Sequence, residues 1–163
     1  MLIRLSISNY ALINSASVTF SDGLTTITGE SGAGKSIMLE AIGLILGGRS
    51  NFTSIRRGED KCIVEAVFLA NDSTNALIKH HGLDQYEELT IRRELTQNGR
   101  SRAFVNDTPV NVNVLRTMGV ELIDLHGQHE NLSLQSSGFK FQHLDAFAKA
   151  SKDYDQYKEA YKS

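Results

Sequence analysis

The sequence predicts an α/β domain built around a phosphate-binding loop, with a mainly antiparallel β lobe beside it. Two observations carry this. The octet Gly29-Glu30-Ser31-Gly32-Ala33-Gly34-Lys35-Ser36 has Walker A spacing and lies between a β-prone run and an apolar helical run. Downstream, residues 61–68 alternate apolar with polar, residues 88–95 form a second strand-like run, and an Asn98-Gly99 turn leads into a third at 102–105.

Taken in order, residues 2–7 read as a strand, 9–14 as a turn and 16–20 as a second strand. Asp22-Gly23 is a turn signal, and 24–28 is a short strand feeding the glycine-rich loop. From residue 35 to 46, Ile37, Met38, Leu39, Ala41, Ile42, Leu44, Ile45 and Leu46 occupy nearly every face. That distribution predicts a helix buried on most sides, stopped by Gly47-Gly48. Residues 74–81 read as a short helix closed by Gly82, 111–118 as another helix, and 121–125 as a buried strand. From Ser136 the chain turns helical. After Ala148 it is strongly polar, with Tyr154, Tyr157 and Tyr161 spaced by three and four, which predicts an exposed helix with one apolar seam. No glycine or proline ends that element, so the chain is expected to be cut within it.

At 163 residues and 40% hydrophobic, the chain has enough apolar content for a core without disulfides or structural metal. Cys62 falls in an alternating run, as a buried strand residue rather than a nucleophile. A reducing, cytoplasmic compartment and no membrane partner are the expectation, since residues 37–46, the longest apolar stretch, are interrupted by Glu40. Seventeen basic against nineteen acidic residues give a net charge of −2, which excludes a polycation that binds nucleic acid by overall charge. Any DNA contact must be local. Arg56 with Arg57, and Arg92, Arg93, Arg100 and Arg102, are the only clusters that suggest a polyanionic partner.

In a Walker A loop the glycines let successive amides point at phosphate oxygens, and the helix amino terminus adds partial positive charge. Lys35 is then placed for the β- and γ-phosphates of ATP, and the Ser36 hydroxyl for Mg2+. Gln128, just beyond the strand expected at 121–125, is a candidate to touch Mg2+ and the attacking water. From the residue alone, a surface loop glutamine is an equal reading. Arg100 and Arg102 on the hairpin contact phosphate or simply protect a strand edge, and the residues leave both open. His80 with His81, and His126 with His129, match no familiar zinc spacing.

Several segments together resemble a known family: Leu5-Ser6-Ile7-Ser8-Asn9-Tyr10, the Walker A loop preceded by Thr28, and Leu44-Ile45-Leu46-Gly47-Gly48-Arg49. The others are Gly99-Arg100-Ser101-Arg102-Ala103-Phe104-Val105-Asn106 and Asp124-Leu125-His126-Gly127-Gln128-His129-Glu130. They resemble the RecN family of bacterial DNA double-strand-break repair ATPases, related to the SMC proteins. The resemblance implies the amino-terminal half of an ABC/SMC-type ATPase head: a mixed sheet around the P-loop helix plus an antiparallel lobe, over residues 1–147. Residues 148–163 then begin a coiled-coil arm. It further implies that Gln128 is the Q-loop glutamine and that the partners are DNA near breaks, the carboxy-terminal half of the head, and a second head engaged face to face through ATP. A nucleoid-associated, cytoplasmic location follows. Glu30 fits this family, whereas many SMC proteins carry asparagine there.

The resemblance also locates what the sequence lacks. No apolar run ending in Asp-Glu follows the loop, so the chain alone is expected to hydrolyse little or no ATP. Leu132-Ser133-Leu134-Gln135 with Ser136-Ser137-Gly138 only echoes a signature motif, and His143-Leu144-Asp145 only echoes Walker B. The alternatives are an SMC-type chromosome organiser head, a small P-loop metabolite kinase, or a non-catalytic assembly module whose nucleotide stabilises an interface.

Overall fold

Two-residue periodicity decides the architecture. The strands β1 (Leu2–Tyr10) and β2 (Ile13–Thr19) form a hairpin, and β3 (Lys61–Leu69), β4 (Glu88–Thr96), β5 (Ser101–Val105) and β6 (Thr108–Val110) follow. The computed structural model describes residues 1–30, 34–123, 125, 147–148 and 161. The chain divides into two units, Met1–Asp124 and Leu125–Ser163. In the first unit the strands make one six-stranded sheet in the order β2-β1-β3-β4-β5-β6, antiparallel at every pairing. Of the second, Phe147 and Tyr161 are exposed.

One face of the sheet is apolar. Leu5, Ile7, Cys62, Val64, Ala66, Phe68, Leu89, Ile91, Leu95, Ala103 and Val105 are buried there. The helices α1 (Lys35–Ile45), α2 (Asp72–His80) and α3 (Val112–Leu122) accompany it: α1 packs on β1, β3 and β4, while α3 packs on β5 and α2. The other face is polar, with Ser6 beside Ser17 at 3.3 Å and Lys61 paired to Glu94 at 2.9 Å. Among the described residues no helix is long and apolar enough to cross a membrane.

Local chemistry explains the helix ends. Gly47, at φ 85°, reverses the chain after α1, and the amides of Gly48 and Gly47 bond the carbonyls of Gly43 and Leu44 at 2.9 and 3.2 Å. At α2 the Asn71 side chain accepts from the Thr74 amide at 2.8 Å while Thr74 Oγ1 accepts from the Asn71 amide at 2.9 Å. This reciprocal cap satisfies two donors that the helix cannot, so Asn71→Ala should cost about 1 kcal/mol. A urea denaturation midpoint that does not move would remove the cap from the account.

The structure departs from the sequence expectations in four places. Residues 24–28 form no strand, because no neighbouring chain among the described residues offers them a ladder; Leu24 is 94% exposed. The parallel part of a mixed sheet therefore has no strand among the described residues. The strand expected at 121–125 is instead the end of α3, with Ile123 extended beyond it and Asp124 outside the described residues. The hairpin lobe and the opening strands are one continuous sheet, and it gains the unexpected edge strand β6 through a two-residue turn at Asn106 and Asp107, both left-handed. Finally, α1 is buried only along Ala41, Leu44 and Ile45, and Leu39 on its far side is 51% exposed.

Cys62 is buried as expected, and burial pushes its thiol above the ordinary range. Desolvation likewise raises Tyr10, helped by Glu40 and Cys62 and opposed by a hydrogen bond to Ser54. Both groups favour the protonated native state. Their contribution to stability is complete below the unfolded thiol's pKa of about 8.5 and falls as pH rises toward the folded values. Thermal melts should therefore decline above about pH 8.5, and Cys62→Val should flatten the onset of that decline. An unchanged pH profile in the variant would exclude the thiol as a cause.

Candidate functional site: the loop before α1

The loop that carries the Walker A residues ends at Gly34, whose left-handed φ of 93° makes it the N-cap of α1. Among the described residues no atom lies within 4 Å of where a Cβ would stand, and the backbone angle itself calls for glycine. No side chain caps this helix start and no acidic residue occupies its first turn. Among the described residues no side chain therefore answers the partial positive charge of the first amides of α1, the electrostatic condition for an anion.

Lys35 begins α1 and folds back over the loop. Its Nζ donates to the carbonyls of Gly29 and of Glu30, the latter at 2.7 Å. A flexible ammonium thus stands over the loop, held among the described residues by carbonyl oxygens. Ser36 is exposed one residue further on, and Gly29 and Glu30 are exposed as well. Ser31, Gly32, Ala33 and Gln128 lie outside the described residues, as do His126, His129 and the segments 132–138 and 143–145. An ammonium, an exposed hydroxyl and the amides at a helix start are the groups that a nucleoside triphosphate with Mg2+ requires, so the described residues fit ATP.

The arginine clusters separate into different roles. Arg92 lies on the polar face, paired with Asp107 at 2.7 Å, near Glu94 and Glu65 at 3.5 and 3.7 Å, and 4.6 Å from the Phe104 ring. Its charge is already answered by carboxylates. Arg93 points the other way and is buried. Arg100 and Arg102 are exposed and, with Lys61, Glu94, Thr96 and Asn98, line a shallow hollow beside the β4–β5 turn. Arg56 donates to the Leu12 carbonyl at 2.6 Å, tying its loop to the β1–β2 turn, and Arg57 is exposed. The His80 and His81 rings meet edge to face at 5.2 Å. Among the described residues no group of three or more His, Cys, Asp or Glu is placed to hold a metal ion.

Fold and loop together define a P-loop nucleotide-binding domain of the ABC/SMC head type. A family profile described as an AAA domain matches residues 4–163, and the chain belongs to that family. Its similarity to the DNA repair proteins RecN runs along nearly its whole length. It is 43% identical to RecN of Vibrio cholerae serotype O1 over 150 residues, covering 91% of this chain and 27% of the relative. It is 41% identical to that of Bacillus subtilis (strain 168) over 153 residues, covering 92% and 27%. The chain spans 27–30% of the length of the first curated relatives it matches.

Among solved structures it resembles the SMC head domain from Thermotoga maritima, with a TM-score of 0.57 and 27% identity over 72% of this chain and 41% of that one. It also resembles a chain described under ATP-driven dimerization and DNA stimulated activation of SMC ATPases. There the TM-score is 0.61 at 23% identity, covering 86% of this chain and 89% of that one, a likeness of fold.

Proposed function

We propose that the chain is the Walker A half of an ATPase head in a bacterial DNA-repair protein of the RecN kind. The observation that carries this reading is Lys35 folded over the loop at the uncapped start of α1. In this reading Gly29, Glu30, Ser31, Gly32, Ala33 and Gly34 wrap the phosphates with backbone amides. Lys35 exchanges its carbonyl contacts for β- and γ-phosphate oxygens, and Ser36 turns its hydroxyl to Mg2+. Bound Mg·ATP supplies the labile γ-phosphoryl group. Gln128 orients the attacking water beside Mg2+. Residues 1–147 form the half-head and residues 148–163 begin a coiled-coil arm.

Hydrolysis needs a carboxylate to polarise water, and no apolar run ending in Asp-Glu follows the Walker A loop in this sequence. The complementary half of the head supplies it, together with the signature motif of an opposing head, so that ATP binding closes two heads and turnover reopens them. Leu24 on the segment before the loop and Leu39 on the uncovered side of α1 support this, since both are apolar and exposed. DNA near breaks is the regulated partner, the cytoplasm is the site of action, and the protein associates with the nucleoid.

The test is equilibrium binding of a fluorescent ATP analogue with Mg2+, followed by turnover of the chain alone and mixed with the complementary head segment, with and without linear DNA. Binding by the chain, with turnover only in the mixture and stimulated by DNA, is the expected result. Failure to bind nucleotide, or brisk turnover by the chain alone, would overturn the reading.

A further inference from the structure

The loop that leaves α1 is held by two arginines. Arg93 of β4 is 1% exposed, and its Nη2 donates to Ser50 Oγ, in the loop after α1, and to Ser101 Oγ at the start of β5, both at 2.7 Å. The two hydroxyls also bond each other at 2.9 Å. From the other side, Arg116 of α3 donates through Nε to the Gly47 carbonyl at 2.9 Å. It lies so close that a Cβ on Gly47 would stand 2.6 Å from Arg116 Cγ.

Arg93 is an expensive residue to keep. It has no carboxylate partner among the described residues, and its Nε and Nη1 are buried without hydrogen bonds. Burial first, and the like charge of Arg116 second, push the guanidinium below its ordinary pKa. Two hydroxyls repay little of the cost of desolvating a cation, and replacing such a group with an apolar side chain of similar size is commonly neutral or stabilising. Stability therefore does not explain Arg93; the positions it fixes do.

We infer that Arg93 is a positioning residue for the nucleotide loop: by clasping Ser50 to Ser101 it ties the loop that leaves α1 to the sheet and, with Arg116 on Gly47, steadies the helix that begins at Lys35. Residues 46–49 lie between α1 and Ser50, with the Gly47 carbonyl held by Arg116, and the helix from there back to Lys35 is rigid and about 16 Å long, so slack in that loop is passed along it to Lys35. Phosphate contacts tolerate only about 0.5 Å of such displacement. The inference rests on the ATP-binding reading above.

The experiment compares the wild-type chain with Arg93→Met, Arg93→Lys and Ser50→Ala, measuring melting temperature and affinity for the fluorescent ATP analogue with Mg2+. Arg93→Met is expected to melt at or above the wild-type temperature yet bind nucleotide about tenfold more weakly. Arg93→Lys, which keeps one donor, should recover part of that loss. Ser50→Ala removes one arm of the clasp without touching a charge, and decides the matter if Arg93→Met does not fold: weakened binding at unchanged melting temperature supports the clasp. Wild-type affinity in a folded Arg93→Met, or in Ser50→Ala where Arg93→Met fails to fold, overturns it. No binding by the wild-type chain overturns the ATP reading and this inference together.

Discussion

Lys35→Ala is expected to weaken Mg·ATP binding about a hundredfold while leaving the melting temperature essentially unmoved. Among the described residues the side chain makes hydrogen bonds only to the carbonyls of Gly29 and Glu30, in an exposed loop. Removing it takes little from the fold. Against a triphosphate it provides a charge-assisted hydrogen bond at the centre of negative charge, a contact worth up to about 3 kcal/mol. At 1.4 kcal/mol per decade this is roughly two orders of magnitude in Kd. Fluorescence titration beside a circular-dichroism melt measures both quantities on one sample. A variant that binds as tightly as the parent would remove Lys35 from the phosphate site, and a variant that unfolds would make it a structural residue.

Phe68→Ala should produce the largest stability loss, about 3–5 kcal/mol. Phe68 is fully buried on the apolar face of β3, between β1 and β4 in register with Leu2 and Leu89. A strand paired to β1 on one side and β4 on the other cannot close the space a ring leaves, so both the transfer and the cavity contributions appear. The urea midpoint is the measurement, and a shift equivalent to less than about 1 kcal/mol would mean that the helices over this face rearrange to fill the gap.

Where the sequence carried a local signal, the fold was legible. Alternation placed β3 and β4, Asn98-Gly99 placed the hairpin, and Gly47-Gly48 and Gly82 placed two helix ends. What escaped lacked such a signal. Asn106-Asp107 makes the left-handed pair usually given by Asn-Gly, and Pro109 within three residues argued against the strand it occupies. Residues 24–28 have strand composition but no ladder partner among the described residues, and propensity does not supply a partner.

The site was readable as a motif for the same reason: glycine spacing before an apolar helix is a local pattern. Arg93 was readable too, in retrospect. Leu89, Ile91, Arg93 and Leu95 share one parity, which puts the guanidinium on the apolar face. Counting it with Arg92, Arg100 and Arg102 as surface charge hid that parity. Gln128 stands outside the described residues, and its role rests on the proposal alone.

Among the described residues every ladder of the sheet closes within residues 2–110. On a translating ribosome, at about 5–20 residues per second, that stretch emerges in roughly 5–20 s. The sheet can then close during synthesis without waiting for any later strand. Leu24, Ile27 and Leu39 are still exposed once the sheet has closed, so closure alone does not end their need for shielding from other nascent chains.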